Sequence, residues 1–164
     1  MKRFLSVMIV LVASVTTVPV FAISEVQETA IVNHCESIIN SLKTVQRNDS
    51  RARVYLGTYY ENILNKFITP LNVRLVENNL SNADLISNQN DFAKTRTNFM
   101  IDYVEYQKDL EDLVATNCKE SPEVFYEKLV KTREKRGLVA KDAAKLRKLA
   151  LEQVEDLKVL EAKL

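Results

Sequence analysis

Turn-forming residues are scarce in this chain, with two glycines and three prolines in 164 residues. So few breakers leave room for few turns, and the expected architecture is a small number of long elements. Histidine occurs once, as His34, and cysteine twice, as Cys35 and Cys118. One histidine cannot build a usual zinc site, which needs three or four converging ligands. No Glu-x-x-His pair is present for a carboxylate di-metal centre in a helical bundle. No glycine-rich phosphate loop occurs either. Charge of one sign is also lacking, with 23 basic against 22 acidic residues, so bulk charge selects no partner.

What the chain does have begins with an export pattern. Lys2 and Arg3 precede an uncharged, mostly apolar stretch from Phe4 to Val18. Pro19 breaks it, and Val20-Phe21-Ala22 offers small residues at a cleavage site. Residues 1–22 are therefore expected to be a signal peptide, leaving 23–164 as a single helical-bundle domain in the periplasm, cell envelope or extracellular space. The competing reading is an uncleaved membrane anchor, since the apolar run is about long enough to span a bilayer.

Apolar spacing then predicts three long helices. Ile31, Cys35, Ile38, Leu42, Val45, Asp49, Ala52, Leu56, Tyr59 and Ile63 alternate in steps of four and three, the stripe of a helix buried on one side. The stripe keeps phase through the polar Arg47-Asn48-Asp49-Ser50, so one continuous helix is expected there. A break near Asn48 would instead give four helices. Pro70 predicts a kink or break. Asn79 and Leu80 predict a left-handed helix end, and Ser81 with Asp84 a new helix start. The second stripe runs Leu85, Gln89, Phe92, Arg96, Phe99, Tyr103, Tyr106, Leu110 and Leu113, on a helix expected from Asn82 to Asn117, about 54 Å long. Cys118 to Ser121 is the next turn, with Ser121 as N-cap and Pro122 at the first helical position. The third stripe runs from Phe125 through Leu129, Thr132, Arg136, Val139 and Ala143 to Leu146, and on through Ala150, Gln153, Leu157 and Leu160 to Leu164. Gly137 weakens this helix without ending it. Short connections force antiparallel neighbours. The fold class is all-α: three long antiparallel helices in a coiled-coil-like bundle.

Antiparallel geometry brings Cys35, near the start of the first helix, toward Cys118 at the end of the second. An exported chain with two cysteines oxidises them. A structural disulfide is favoured over a redox role, because there is no Cys-x-x-Cys pair, and over intermolecular pairing. The first arm of the hairpin is longer by roughly seven residues, near 10 Å of helix, which a distortion at Pro70 or Asn48 must absorb.

This layout resembles small, exported, uncharacterised helical proteins of candidate-phylum bacteria. The likeness lies in Cys35 to Leu42, in the turn from Asn79 to Leu85, in the aromatic helix from Phe99 to Cys118, and in Phe125 and Leu129 opening a third helix. Asn79 stands where glycine is usual, and Pro70 departs from the pattern. The resemblance implies a fold and an exported address; it implies no activity.

Candidate sites are few. With Cys35 oxidised, His34 has no thiolate to activate, and it reads as an exposed helix residue. No catalytic residue, cofactor site or metal site is inferred. Phe92, Phe99, Tyr103 and Tyr106 read as core, with each tyrosine hydroxyl needing a polar partner. Tyr55, Tyr59 and Tyr60 cover more than one face, so one of them is expected to be exposed as a contact surface. Lys131 to Lys148 holds eight basic and two acidic residues. If the turn centres near Glu120, residues whose numbers sum to about 240 are level. Lys128, Lys131 and Lys135 then lie beside Asp112, Asp109 and Glu105, as interhelical pairs that fix register. Arg96 and Arg136, on the stripes, snorkel or pair with an internal carboxylate. Lys66, Lys94, Arg96, Lys145, Arg147 and Lys148 remain as a candidate anion-binding belt, with Asp91 and Glu152 near.

The expected function is that of an exported, non-enzymatic structural or interaction protein with an unidentified protein partner and no small-molecule substrate. Two alternatives stand beside it: binding of an anionic polymer, such as nucleic acid or an envelope glycopolymer, through the belt, and a chaperone-like hold on unfolded clients. The apolar stripe past about residue 158 overhangs the second helix and calls for cover from the first helix or from a second copy of the chain.

Overall fold

A computed structural model describes residues 23–80 and 83–162. The expected signal peptide, the helix start at Ser81 and the last stripe residue Leu164 lie outside the described residues. Among those described there is no strand. The elements are α1 (Glu25–Asn62), a π-helical segment (Ile63–Ile68), α2 (Thr69–Glu77), α3 (Ala83–Val114) and α4 (Pro122–Glu161). The chain is thus an all-α bundle of three long helical arms. At 1.5 Å per residue α4 alone is about 60 Å long.

Helix α1 starts at a capping box. The Gln27 N–H donates to Ser24 Oγ at 3.3 Å, and the Ser24 N–H donates to Gln27 Oε1 at 3.1 Å. Two donors that the helix cannot satisfy itself are thereby paired. Glu25 and Glu28 sit favourably in the positive first turn. The helix runs unbroken through Arg47 to Ser50, as the continuous stripe predicts. Ser50 bonds the Gln46 carbonyl at 2.8 Å, and Asp49 faces inward rather than into a loop.

Pro70 produces the expected interruption, in an unexpected form. Proline lacks the N–H of an α-helical ladder, and its ring crowds the carbonyl four residues back. The helix answers by widening just upstream: the Thr69 N–H reaches Leu64 O, five residues back, and Pro70 falls in the first turn of α2. There its missing N–H has no intrahelical role. The chain keeps right-handed helical dihedrals throughout, so α1, the π segment and α2 form one arm.

That arm ends as its sequence dictates. Asn79 has φ 57°. Leu80 N–H donates to Leu75 O at 2.8 Å and Asn79 N–H to Val76 O at 3.1 Å, the two bonds of a Schellman turn. Helix α3 stops at Val114, short of Asn117, and Asn117 Oδ1 accepts from the Lys119 N–H at 3.1 Å to shape the next turn. Ser121 precedes α4, but its side chain makes no capping bond. Its φ of −139° and ψ of 61° lie away from the extended conformation of a capping residue such as Ser24.

The core is centred on α3. Phe92, Phe99, Leu110, Leu113, Phe125 and Leu146 are sealed from solvent. Tyr60, Phe99, Tyr103 and Tyr106 continue as a ladder of edge-on rings with centroids 5.4–6.0 Å apart, the arrangement favoured by aromatic quadrupoles. The α3–α4 register follows the predicted rule. Lys131 Nζ lies 2.9 Å from Asp109, and Lys135 pairs with Glu105. Lys128 is level with Asp112 but bonds its backbone carbonyl and Thr116 Oγ1 rather than its carboxylate.

Inward positions differ from the predicted stripes on all three arms; on α3, Asn88 and Thr95 are buried beside the predicted Gln89 and Arg96, which are only partly so. Tyr60, not Tyr59, is buried on the first arm. A strict seven-residue repeat drifts around a straight helix of 3.6 residues per turn, and by the sixth decade the inward sequence reads Leu56, Tyr60, then Ile68 and Asn72 beyond the π segment. On α4 Leu149 is buried and Ala150 only partly so. Short of the expected overhang, α4 meets α2: Gln153 Nε2 donates to Asn72 Oδ1 at 3.2 Å, while past residue 158 Val159 is exposed and Leu160 only half-buried.

Cys35 and Cys118 form the expected disulfide, with Cα atoms 5.7 Å apart and 83 residues of separation. The surplus length of the first arm is absorbed in two places. The π segment winds more residues into each turn, and Ala115 to Cys118 leave the helix and cover more distance per residue.

Candidate functional site

His34 is exposed on α1, next to a sulfur consumed by the disulfide. Among the described residues no three of His, Cys, Asp and Glu gather closely enough to hold a metal ion.

A polar node joins all three arms at Asp49. Its carboxylate, on α1, accepts from the Tyr106 hydroxyl of α3 at 2.6 Å and from Arg136 Nε of α4 at 3.0 Å. Arg136 Nη2 reaches the other carboxylate oxygen at 3.3 Å. Tyr103 donates instead to the Asp49 backbone carbonyl, at 2.6 Å. The Asp49 side chain is only 16% exposed, so this charge is compensated by a charged partner and a hydroxyl rather than by water. Burial, then the bond to Asp49 and its negative charge, pushes the Tyr106 hydroxyl well above the ordinary tyrosine range. Burial and the nearby Asp49 charge do the same to Tyr103. These are groups locked as donors, with no free base among them. The internal carboxylate expected for Arg136 is Asp49, whereas Arg96 pairs with Glu61, a carboxylate at the surface.

Above this node lies a groove. Helices α1 and α4 both run antiparallel to α3, and α1 leans on α3, leaving the α1–α4 side partly open. Phe99 and Tyr103 form its floor at one end, where Arg133, Gly137 and Ala140 of α4 line the wall. One turn region further on, the floor is Tyr60, whose hydroxyl donates to Ala143 O at 3.3 Å. Tyr59, Arg147, Leu151 and Val154 form the rim there. Four apolar side chains beside or on this groove are open to water: Tyr55 (69% exposed), Leu151 (63%), Val154 (50%) and Tyr59 (48%). Tyr55 and Tyr59 stack on each other at 6.2 Å with rings 8° apart. Two tyrosines of this group are therefore exposed, where the sequence led to an expectation of one.

The six belt residues are dispersed. Arg96 lies between α1 and α3 and pairs with Glu61. Arg147 lies on the other side of α1, in the α1–α4 groove. Lys148 pairs with Glu152 one turn along its own helix, at 3.3 Å. Lys145 flanks Asp142. Lys66 and Lys94 are exposed. Residues two apart on a helix do not share a face, so Lys145 and Arg147 project on different sides. What sequence reasoning missed is the grouping of Arg133, Arg136 and Arg147 along one wall of the groove. The i, i+3 spacing of the first two and the 11-residue step from Arg136 to Arg147 were the available signal.

Two further polar sets sit between helices. Asn72 donates to Leu85 O at 3.0 Å and to Gln89 Oε1 at 2.8 Å, while Gln89 bonds Thr69 and Gln153 bonds Asn72. This network holds α2 against α3 and α4. On α4, Asp142 faces Asp102 of α3. Burial, together with a bond to Asp102 and its charge, raises the Asp142 carboxyl above its ordinary 3.8, against the pull of Lys145 and Lys141.

Comparison of the chain with protein-family models, with curated proteins and with solved structures gives no match.

Proposed function

We propose that the protein is an exported, non-enzymatic structural or interaction protein that docks a partner along the α1–α4 groove. The observation that carries this reading is that Tyr55, Tyr59, Leu151 and Val154 are exposed together beside a groove, whereas Val26, Phe67 and Ile101 are exposed elsewhere on the bundle. Apolar side chains grouped along a groove gain by being covered. The site offers locked tyrosine donors and a paired carboxylate, which suit recognition rather than turnover. The disulfide fits an oxidising compartment, and no described helix is long and apolar enough to cross a membrane. Cleavage after Ala22, giving an exported chain that starts at Ile23, belongs to the same proposal.

A photo-crosslinking residue placed at Leu151 and, in a second strain, at the exposed Ile101 of α3 tests it in the native cells. A discrete adduct from position 151 and none from 101 is the expected result. Equal capture from both positions, or none from either, removes the groove from consideration. An adduct of twice the chain's own mass would make the partner a second copy.

A further inference from the structure

We infer that the occupant of the α1–α4 groove is an amphipathic α-helix with acidic edges, supplied by a protein partner. The inference rests on the docking reading above and specifies its chemistry.

Shape comes first. Helix α1 meets α4 in parallel: Gln27 bonds Tyr126, Asp49 bonds Arg136 and Tyr60 bonds Ala143, each pair further along both helices. These bonds bridge the parallel pair at three heights, and the seam between them is a shallow furrow on the surface, along which the exposed Tyr59, Leu151 and Val154 offer contacts to a further helix laid across the outside. No strand edge is present among the described residues to take an extended segment. An apolar helix face laid into a hydrophobic groove is a recurring recognition mode, read as anchors spaced three and four apart.

The wall of α4 points the same way. Gly137 sits inside a 40-residue helix, yet a Cβ built there would meet nothing within 4 Å. No crowding inside the chain calls for glycine at that position, whereas Gly57 has Met100 Sδ 3.3 Å from its would-be Cβ. With Ala140 alongside, Gly137 leaves the wall low enough for a second backbone to approach closely. This adds to the exposed apolar row, which is an independent observation.

Charge selects the class of helix. Half of the eight cations from Lys131 to Lys148 already have acids: Lys131, Lys135, Arg136 and Lys148 are ion-paired. Arg133 and Arg147, both on the groove wall, make no ion pair among the described residues. The only acid lining the groove is Asp49, which Arg136 and Tyr106 already occupy. A helix seated here meets unpaired arginines along one edge, which favour carboxylates and repel lysines. A polyanion is the weaker fit, because the two arginines flank an apolar floor instead of tracking a backbone, and the remaining free lysines point elsewhere.

The test uses the exported protein and a displayed library of 21-residue helical peptides. Each peptide carries a fixed leucine stripe, with Glu, Lys or Ser randomised at the two edge positions of every turn. Selection on the native protein should enrich Glu at the edges. The best peptide should lose tenfold or more in affinity to the R133E/R147E variant, and selection on that variant should turn toward Lys. Gly137→Leu should weaken the same peptide by at least tenfold with helix content unchanged by circular dichroism. Edge positions with no acidic preference overturn the inference, as does affinity insensitive to R133E/R147E. So does tight binding of heparin or single-stranded DNA that the best peptide cannot displace. A crosslink at Leu151 with no acidic preference in the library would keep the docking surface and discard the acidic helix. Loss of that crosslink discards both.

Discussion

The Tyr106 hydroxyl donates to the Asp49 carboxylate across 2.6 Å, from α3 to α1, and the same carboxylate holds Arg136 of α4. One acidic side chain therefore fixes the relative height of three helices. Tyr103, a turn away, uses the Asp49 backbone carbonyl and does not depend on the carboxylate. This separates two otherwise similar hydroxyls. Asp49→Ala should cost about 2 kcal/mol, chiefly by leaving the buried Tyr106 hydroxyl without its acceptor, because the Arg136 side chain left behind is 56% exposed and solvated. Tyr106→Phe should cost about 1.5 kcal/mol. Urea unfolding of double mutants should show Tyr106→Phe strongly non-additive with Asp49→Asn, and Tyr103→Phe nearly additive with it. Equal coupling for both tyrosines would contradict the geometry.

The disulfide closes a loop of 83 residues. In the chain-entropy account, such a loop stabilises by about 4.5 kcal/mol, less whatever strain it carries. Cys35→Ser with Cys118→Ser should lower the urea midpoint and raise the m-value, because the unbridged unfolded chain is more expanded and exposes more surface. On a non-reducing gel the oxidised protein should run as a single intramolecularly bridged species.

Asp142 and Asp102 set a pH dependence with a definite sign. The folded state raises the Asp142 carboxyl above 3.8, so the folded protein holds a proton that the unfolded chain releases. Stability from this pair is therefore greatest at acid pH and falls as pH rises from about 4 through the raised value. Asp142 is partly open to solvent, so screening keeps the effect to a few tenths of a kcal/mol. Asp142→Asn should flatten the pH profile above about pH 4 and stabilise slightly at neutral pH. Thermal melts across that range would show it, and a steeper profile in the variant would reverse the assignment.

Gly137→Ala should stabilise the isolated protein by about 1 kcal/mol, since the new methyl meets open space and alanine is the better helix former. Gly57→Ala should gain less, because Met100 must yield to the added carbon. Differential scanning calorimetry of the two variants gives the comparison directly.

Much of the fold is written in local pattern. The continuous helix through Asn48, the left-handed Asn79, the pairing of Cys35 with Cys118 and the level placement of Lys131 with Asp109 all follow from spacing and turn chemistry. Asp49 was legible too, as an acid on an apolar stripe facing an arginine on another. What spacing missed depends on small angular errors that accumulate. Half a residue of drift exchanges Tyr59 for Tyr60, and the widened turn before Pro70 resets the phase again. Asn88 and Thr95 are buried although no apolar repeat marks them; Asn88 earns its place by donating to Leu149 O at 3.1 Å. The groove was least legible of all, because its width depends on how closely α1 approaches α4, and no single helix encodes that distance.

The covalent bond at Cys35 and the reversal at Asn79 secure the first arm near its two extremities, with Asp49 gripping it between them. This arm behaves as a bowstring on the α3–α4 frame. Cutting the bond with a reductant releases only one nock. Amide exchange should then speed up from Glu25 toward Gln46 and stop abruptly at the Asp49 grip, while the span from Tyr60 to Leu75 keeps its protection. A shift to a reducing environment would thus slacken half of one edge of the groove and leave the other half taut.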